Sequence, residues 1–391
     1  MSIIDAPLTS PTNPSATLEA RSTADWVAIA RDVGARLAVG AAERDRTGDI
    51  AVDGFDLLRT SGLSAALVPV ECGGGGATHE QMGAILRELG RHDGATAVTF
   101  AMHSHPLALQ VWRHQRGMDA SKVFQKVAGE RALLGTTGAS DWVGSNGSVQ
   151  RVDGGYRVSA RKGPVSGCEV ADILTTSFRW DDAPDGPQVF HCALPRRTDG
   201  IRIERTWDTL GMRATGSHTL VFDDVFVPDA TISLTRPADA WHPIWNAVLG
   251  CAMSLIMSAY LGVADAAVEL AMDAVAGRID GPTIQLVGQL GNAHLTASDA
   301  VDAMFRDAEG LRFENTDDHA RRTLSRKTVA ADSMIDSVRI ALELMGGRGF
   351  SRSSTMERLQ RDILGCRFHP LPTAKQIHFS GRVALGLSPI E

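Results

Sequence analysis

The chain has 391 residues, of which 43% are hydrophobic, and its 46 acidic side chains outnumber its 39 basic ones for a formal net charge of -7. A chain of this length buries a sizeable core, and the lack of a basic block in the sequence argues against nucleic acid as a partner. The five cysteines are scattered without a CxxC pair, which predicts neither a disulfide framework nor a metal site and favours a cytoplasmic location.

The first third of the chain is predicted to be helical. Residues 1–16 are rich in Ser, Thr, Pro and Asn and contain no Lys or Arg, so they lack the features of a signal peptide and are predicted to form a disordered tail. From 17 to 131 the apolar residues recur at helical spacing, which predicts an N-terminal helical domain. Its glycine-dense segment, 73–76, lacks the Lys-Ser/Thr of a phosphate-binding loop and is predicted to be a flexible connector.

The pattern changes between 132 and 235 to short runs in which apolar and polar residues alternate. Asp-Gly, Gly-Gly and Pro turns separate these runs, which predicts a central antiparallel β domain. The runs cover residues 156–160, 173–178, 189–193, 201–204 and 219–222.

From 236 to 391 the helical period returns, which predicts a C-terminal four-helix bundle and, for the whole chain, an α+β multi-domain fold. No charged side chain occurs between Asp239 and Asp265, a gap long enough to span a bilayer. The gap begins with His242 and Pro243 and continues at helical spacing into acidic residues. We therefore expect a buried bundle helix and no membrane partner.

Five groups of motifs stand out along this helix–sheet–helix order. They are VPVECGG at 68–74 with ELGRHDG at 88–94, GTTGASD at 135–141, WDTLGMRATGS at 207–217 with VFVP at 225–228, ELMGGRGF at 343–350, and RD at 361–362. In this order they resemble the motifs of the acyl-CoA dehydrogenase superfamily, over nearly the whole chain. The resemblance implies the acyl-CoA dehydrogenase fold, with a flavin held between the β domain and the C-terminal bundle, in a homotetramer whose subunits share the flavin sites.

The resemblance also implies which residues contact the flavin. Thr136 or Thr137, and Ser166 with Gly167, fall where the family has hydroxyl and amide contacts to the isoalloxazine ring. Arg278 matches the arginine that binds the flavin phosphate, although the Phe-Gly that normally follows is replaced by residues 279–282. FAD is therefore favoured and FMN remains open. The predicted cofactor contacts are Thr136, Thr137, Ser166, Gly167, Arg278, Gly346 and Gly347.

The two positions where the family carries its catalytic base hold no carboxylate. Dehydrogenases of this fold remove a proton next to a thioester carbonyl with a glutamate, while hydride passes to the flavin. Counted from Arg361, the usual glutamate position is Pro370, and the alternative position on the long helix is Ala252. Ordinary desaturation of an acyl-CoA therefore lacks its general base.

His369 lies beside this gap, eight residues after Arg361. This spacing, with the Ser-Gly-Cys of 166–168 and the Gly-Ser-His of 216–218, resembles the flavin-dependent monooxygenases of the superfamily, among them two-component aromatic hydroxylases and the dibenzothiophene monooxygenase. That resemblance implies that reduced flavin and O₂ form a C4a-hydroperoxide, which transfers oxygen to a small-molecule substrate. A histidine with a pKa near neutrality can take and return the substrate proton, so His369 is predicted to be catalytic.

His103 is the second predicted catalytic residue, because it matches a pocket histidine of the sulfur-oxidising relatives. It is close in sequence to His105, but positions i and i+2 do not share a helix face, so the pair is not expected to bind a metal.

Three functional hypotheses remain. The first is a flavin-dependent monooxygenase supplied by a separate flavin reductase, since the sequence shows no nicotinamide-binding βαβ unit. The alternative is an acyl-CoA dehydrogenase, or a dehydrogenase of a carrier-bound acyl group, with a displaced base. The third is a flavin-binding subunit without turnover. The substrate stays open among phenol, amine, sulfur heterocycle and thioester.

Overall fold

Helices occupy both ends of the described chain and strands its middle, so the predicted α+β order is confirmed. The computed structural model describes residues 21–138 and 141–391, and the tail predicted for 1–16 lies outside the described residues. The N-terminal helices are α1 (Thr23–Ala38), α2 (Ala41–Thr47), α3 (Val52–Thr60), α4 (His79–His92), α5 (Gly94–His114) and α6 (Ser121–Phe124).

The N-terminal helices begin where side chains satisfy their first free amides. Ser22 and Asp25 form a reciprocal capping box at the start of α1, and Thr78 and Gln81 form another at the start of α4. Asp93 ends α4 and accepts from the Thr96 amide to begin α5. The sharp boundary at Asp93 lets α4 and α5 pack side by side.

The glycine-dense segment is packed, so the prediction of a flexible connector is wrong. A Cβ atom on Gly74 would lie 2.2 Å from the Val68 carbonyl oxygen, and one on Gly75 would lie 2.6 Å from the Trp26 ring. These glycines are needed because the backbone passes directly against buried groups.

The strands form two four-stranded sheets, one in the order β1-β4-β5-β8 and the other in the order β2-β3-β7-β6. Phe178 of the first sheet contacts Phe222 of the second edge to face at 5.2 Å, so an aromatic core lies between the sheets. The strands are β1 (Leu134–Thr136), β2 (Ser148–Val152), β3 (Gly155–Val165), β4 (Ile173–Trp180), β5 (Gln188–Pro195), β6 (Ile201–Glu204), β7 (His218–Pro228) and β8 (Ile232–Pro237).

The strand pairing corrects one detail of the prediction, because the β domain is not wholly antiparallel. Strand β1 runs parallel to β4, with Leu134 opposite Ile173. The other described pairings are antiparallel. The N-terminal helices directly precede β1, so β1 enters the sheet from the helical domain instead of through a hairpin. A parallel pairing with β4 is therefore possible.

Three long helices and one shorter helix build the C-terminal bundle. Helix α9 packs against α7, α8 and α12, and α7 and α8 also pack against each other. The helices are α7 (Ile244–Ala274), α8 (Gly281–Ala308), α9 (Asp317–Met345), α10 (Gly347–Phe350), α11 (Thr355–Asp362) and α12 (Thr373–Ala384), with a 3₁₀ helix at Ile363–Phe368.

Helix α7 is the central helix of the fold. It is long and apolar enough to cross a membrane, but 94% of its most apolar window is buried. Gly262 lies against Gly90 of α4, and a Cβ on Gly262 would meet the Arg87 carbonyl oxygen at 2.0 Å. Arg87 also forms a two-bond ion pair with Asp265, at 2.7 and 2.9 Å. The N-terminal helices are therefore tied closely to the bundle.

Candidate active site

The centre of the candidate site is a contact between His369 and Tyr260. Tyr260 lies on α7 and is 1% exposed, and its hydroxyl is 2.9 Å from Nε2 of His369. His369 follows the 3₁₀ helix Ile363–Phe368, which turns the chain back toward α7. The two rings meet edge to face at 5.3 Å, so the imidazole is held by packing as well as by a hydrogen bond.

A buried lysine holds the segment that carries His369. Lys327 of α9 is 0% exposed, and its ammonium group donates to the carbonyl oxygens of Arg367 and Leu371, at 3.2 and 3.3 Å. These two carbonyls lie on either side of His369 in sequence. Burial lowers the pKa of Lys327 to about 8. We call Tyr260, Lys327 and His369 the histidine cluster.

The surroundings of His369 favour its neutral form. Burial, then the charges of Lys327 and His105, lower the pKa of His369 to about 3. Burial raises the pKa of Tyr260 well above its usual value. The expectation of a histidine with a near-neutral pKa is therefore corrected: at neutral pH both rings are uncharged, so one ring nitrogen of His369 donates a hydrogen bond and the other accepts one.

His103 and His105 have different environments on α5. His103 is 3% exposed, its Nε2 donates to the Ser64 carbonyl oxygen at 2.8 Å, and its Nδ1 accepts from the Leu134 amide at 3.0 Å. Both nitrogens of His103 are thus occupied by backbone. Among residues 21–138 and 141–391, the ring of His105 bonds through Nδ1, which donates to the Ala101 carbonyl oxygen at 3.0 Å. The neutral His105 therefore keeps a free lone pair on Nε2.

On the β domain, Ser166 begins a row of hydroxyl groups. Its Oγ is 2.7 Å from Oγ of Ser217, which is 2.7 Å from Oγ1 of Thr215, and Thr215 donates to the Met212 carbonyl oxygen at 2.9 Å. Ser217 and Thr215 are buried, while Ser166 is partly exposed. We call Ser166, Ser217 and Thr215 the hydroxyl chain.

The two threonines at the end of β1 are not equivalent. The Thr137 hydroxyl is buried and contacts Asp141 at 2.7 Å and Thr176 at 3.1 Å. Asp141 is in turn paired with the buried Lys162. Thr136 is partly exposed, so it is the threonine whose side chain is presented outside the β domain.

The remaining predicted contacts lie at the far end of the bundle. Arg278 is half-exposed in the turn between α7 and α8, and its described ion pair is with Asp280 at 3.6 Å. Gly346 and Gly347 lie where α9 ends, and a Cβ on either would meet open space. Arg348 of the same turn donates to the Ala274 carbonyl oxygen, which brings this turn near Arg278.

The hydrogen-bond donors at the predicted cofactor contacts, on the β domain and at Arg278, fit a flavin. Gly167 has a φ of +71°, and a Cβ there would lie 2.8 Å from Thr99, so the backbone beside Ser166 is open only because the residue is glycine. Hydroxyls and amides on the β domain suit the polar edge of the isoalloxazine ring, and the Arg278 guanidinium suits a phosphate.

Sequence reasoning missed two members of the histidine cluster and chose the less accessible histidine of α5. Tyr260 lies in an apolar helix, where a tyrosine resembles any core aromatic. Lys327 resembles a solvent-exposed lysine on an amphipathic helix. One signal was present: His103 and His105 lie on different faces of α5, so at most one of them could face the bundle.

Comparison with known proteins identifies the family of the chain. Three family models match consecutive parts of the chain: the acyl-CoA dehydrogenase N-terminal domain over residues 27–129, the middle domain over 136–225 and the C-terminal domain over 254–371. The chain belongs to the acyl-CoA dehydrogenase superfamily, and its fold is the one predicted.

Similar proteins indicate which class of enzyme within the superfamily this chain resembles. The chain is 28% identical over 373 residues to the amino sugar nitrososynthase DnmZ of Streptomyces peucetius, which covers 88% of this chain and 89% of the relative. It is 25% identical over 390 residues to the dibenzothiophene monooxygenase of Mycolicibacterium goodii, with 90% and 92% covered. The solved structure of KijD3 with FMN and dTDP-3-amino-2,3,6-trideoxy-4-keto-3-methyl-D-glucose matches at a TM-score of 0.83 and 26% identity, covering 97% of this chain and 96% of that one. The protein is a flavin-dependent oxidoreductase, and the comparisons favour monooxygenase over dehydrogenase.

Proposed function

We propose that this protein is a monooxygenase that transfers one oxygen atom to a nucleophilic nitrogen or sulfur. The observation that carries the proposal is the chemistry of the histidine cluster. Dehydrogenation needs an ionised carboxylate at this place, whereas the structure presents an uncharged imidazole, an uncharged phenol and a buried ammonium.

Asp362 does not supply the missing base. Its charge acts on Tyr260, but the side chain is buried and accepts from the Met212 amide at 2.5 Å. Burial raises the pKa of Asp362 to about 7, so the group is also partly protonated at neutral pH. It holds the loop before β7 against α11 and is not presented to a substrate.

The histidine cluster suits an uncharged nucleophile. Burial and the Lys327 charge keep His369 neutral, and the same field keeps a bound amine in its neutral form, with the lone pair free. With Nε2–H of His369 donating to the Tyr260 oxygen, the lone pairs of His369 Nδ1 and His105 Nε2 accept hydrogen bonds from the N–H groups of an amine substrate and orient it. In the overall reaction, substrate, O₂ and reduced flavin give oxygenated substrate, oxidised flavin and water.

The flavin is FMN in this proposal, although the sequence favours FAD. KijD3, at 26% identity, was solved with FMN. Bound reduced flavin supplies the two electrons that activate O₂. A separate flavin reductase delivers it, because the described chain shows no nicotinamide-binding unit. We place the reaction in the cytoplasm, which accords with five cysteines that are all free.

A homotetramer completes the proposed site. Ser166 lies at the end of β3 and Arg278 at the end of the bundle, so a shared site would join them across subunits. Helices α8 and α12 carry exposed apolar side chains, among them Ile284, Leu295 and Ile377, which a subunit contact would cover. Mass measurement at micromolar protein tests this, and a monomer contradicts it.

The function is tested by two reactions of one preparation. With reduced FMN, isotopically labelled O₂ and a panel of amines and thioethers, we expect product carrying one labelled oxygen atom. Without O₂, we expect acyl-CoA thioesters of several chain lengths to leave the visible absorbance of oxidised flavin on the enzyme unchanged. Bleaching by a thioester would restore the dehydrogenase hypothesis.

A further inference from the structure

The direction of each hydrogen bond in the hydroxyl chain follows from the number of its hydroxyl hydrogens. Ser166, Ser217 and Thr215 each have one hydroxyl hydrogen. They make three close oxygen–oxygen contacts: Ser166 to Ser217, Ser217 to Thr215, and Thr215 to the Met212 carbonyl oxygen. Three hydrogens must therefore occupy three contacts.

Only one assignment places a hydrogen in every contact. A carbonyl oxygen has no hydrogen, so Thr215 must donate to Met212. Thr215 then has none left, and Ser217 must donate to Thr215. Ser217 has in turn none left, and Ser166 must donate to Ser217. The direction follows from counting alone, without observed hydrogen positions.

The surrounding backbone prevents the chain from rearranging. The Gly167 amide donates to the Thr215 carbonyl oxygen at 2.9 Å, and Cys168 Sγ donates to the Gly216 carbonyl oxygen at 3.3 Å. The Thr99 hydroxyl also donates to the Thr215 carbonyl oxygen, at 3.2 Å. The two segments that carry the hydroxyls are thus joined on both sides of the chain.

We propose that Thr215 and Ser217 are positioning residues that make the Ser166 hydroxyl an acceptor only, and so favour reduced over oxidised flavin at this site. The proposal rests on the proposed function and on the predicted contact of Ser166 with the isoalloxazine ring, which we place at N5. Oxidised flavin presents a bare nitrogen at N5, which needs a donor. Reduced flavin carries an N–H at N5, and this N–H needs an acceptor.

The test measures dissociation constants for oxidised and for reduced FMN, the latter without O₂, on the full-length protein. In Ser217→Ala, the Ser166 hydrogen loses its acceptor and can turn to the flavin. We expect this variant to bind reduced FMN more weakly and oxidised FMN more tightly, with the ratio of the two constants changing by about three- to tenfold. Ser166→Ala should weaken reduced FMN without tightening oxidised FMN.

Thr215→Val is a second, isosteric variant that removes the fixed direction two contacts away from Ser166. It should shift the ratio in the same direction as Ser217→Ala. Thr206→Val is the matched control, because it breaks another hydroxyl pair between neighbouring segments, with Thr219, and should leave the ratio unchanged. Thermal melts check that each variant folds.

Two results would overturn the proposal, and they differ from each other. Equal weakening of both flavin states in Ser217→Ala and Thr215→Val, or no change in either, assigns the hydroxyl chain a purely structural role while leaving the monooxygenase function intact. Failure of the wild type to bind either flavin state contradicts the proposed function itself.

Discussion

The histidine cluster and the hydroxyl chain are both preorganised, but by different physical means. The hydroxyl chain uses neutral groups whose direction is set by a carbonyl, so it has no titrating member in the physiological range. The histidine cluster uses a buried charge, and both Lys327 and His369 have lowered pKa values. The difference predicts that pH acts on the site through the bundle, whereas flavin redox preference arises on the β domain.

The largest expected effect comes from removing His369. His369→Ala should slow turnover by about 10²-fold, the order expected when a group that orients the substrate is lost, and leave FMN affinity unchanged. Single-turnover rates and flavin titration on the same preparation measure both. The exposed His378 on α12 offers a matched control, His378→Ala, which should turn over like the wild type. Loss of flavin binding in His369→Ala would show that the residue serves the cofactor instead.

The next largest effect concerns the flavin phosphate. Arg278→Ala removes a charge-assisted contact of about 1.5 to 3 kcal/mol, so FMN affinity should fall about tenfold to a hundredfold. Arg278→Lys should retain part of the FMN affinity, because the positive charge remains but the bidentate hydrogen bonding of a guanidinium is lost. Unchanged affinity in Arg278→Ala would mean that this turn does not reach the phosphate.

The sequence predicted the fold more completely than the site. Changes of hydrophobic period mark the helical and β regions, because burial on one face of a helix or strand leaves a pattern in the sequence. Strand β1 escapes this signal because it has three residues and a parallel partner. The role of Lys327 could not be predicted from the sequence, because it depends on contacts with two carbonyl oxygens about forty residues away in the chain.

A smaller effect should distinguish His103, whose ring bonds only to backbone, from His369. His103 donates to one backbone group and accepts from another, which a glutamine side chain can imitate. His103→Gln should lower the free energy of unfolding by about 1 kcal/mol near neutral pH, where turnover should change little. Urea unfolding measures the first and product formation the second. A loss of turnover as large as that of His369→Ala would return His103 to a catalytic role.

In acid, His103→Gln should lose less stability than the wild type. Burial lowers the pKa of His103 from 6.5 to about 4, so between these values the unfolded chain binds a proton that the folded protein does not. The wild type should lose up to about 1.4 kcal/mol of stability per pH unit from this group as pH falls below about 6.5. His103→Gln lacks that loss, so the stability difference of about 1 kcal/mol should vanish near about pH 6 and favour the variant by about pH 5. A constant difference would show that the ring is already protonated in the folded state.

The smallest effect tests the electrostatic link between Lys327 and His369. The Lys327 charge lowers the pKa of His369, but burial is the larger cause, so most of the lowering should survive removal of the charge. Lys327→Met should therefore raise the pKa of His369 only part of the way from about 3 toward 6.5, and the acid limb of turnover should move upward with it. Imidazole proton resonances followed through a pH titration report the change, and His369→Ala identifies the resonance. The exposed Lys375 on α12 provides the matched control, Lys375→Met, which removes the same charge from a solvent-exposed position and should leave the titration in place. A fall in the pKa of His369 in Lys327→Met would contradict this expectation, because it would mean that the variant makes the site drier and so disfavours the charged ring. Lys327 would then act by holding the segment 367–371 open to water. Its charge would have little part in keeping His369 neutral.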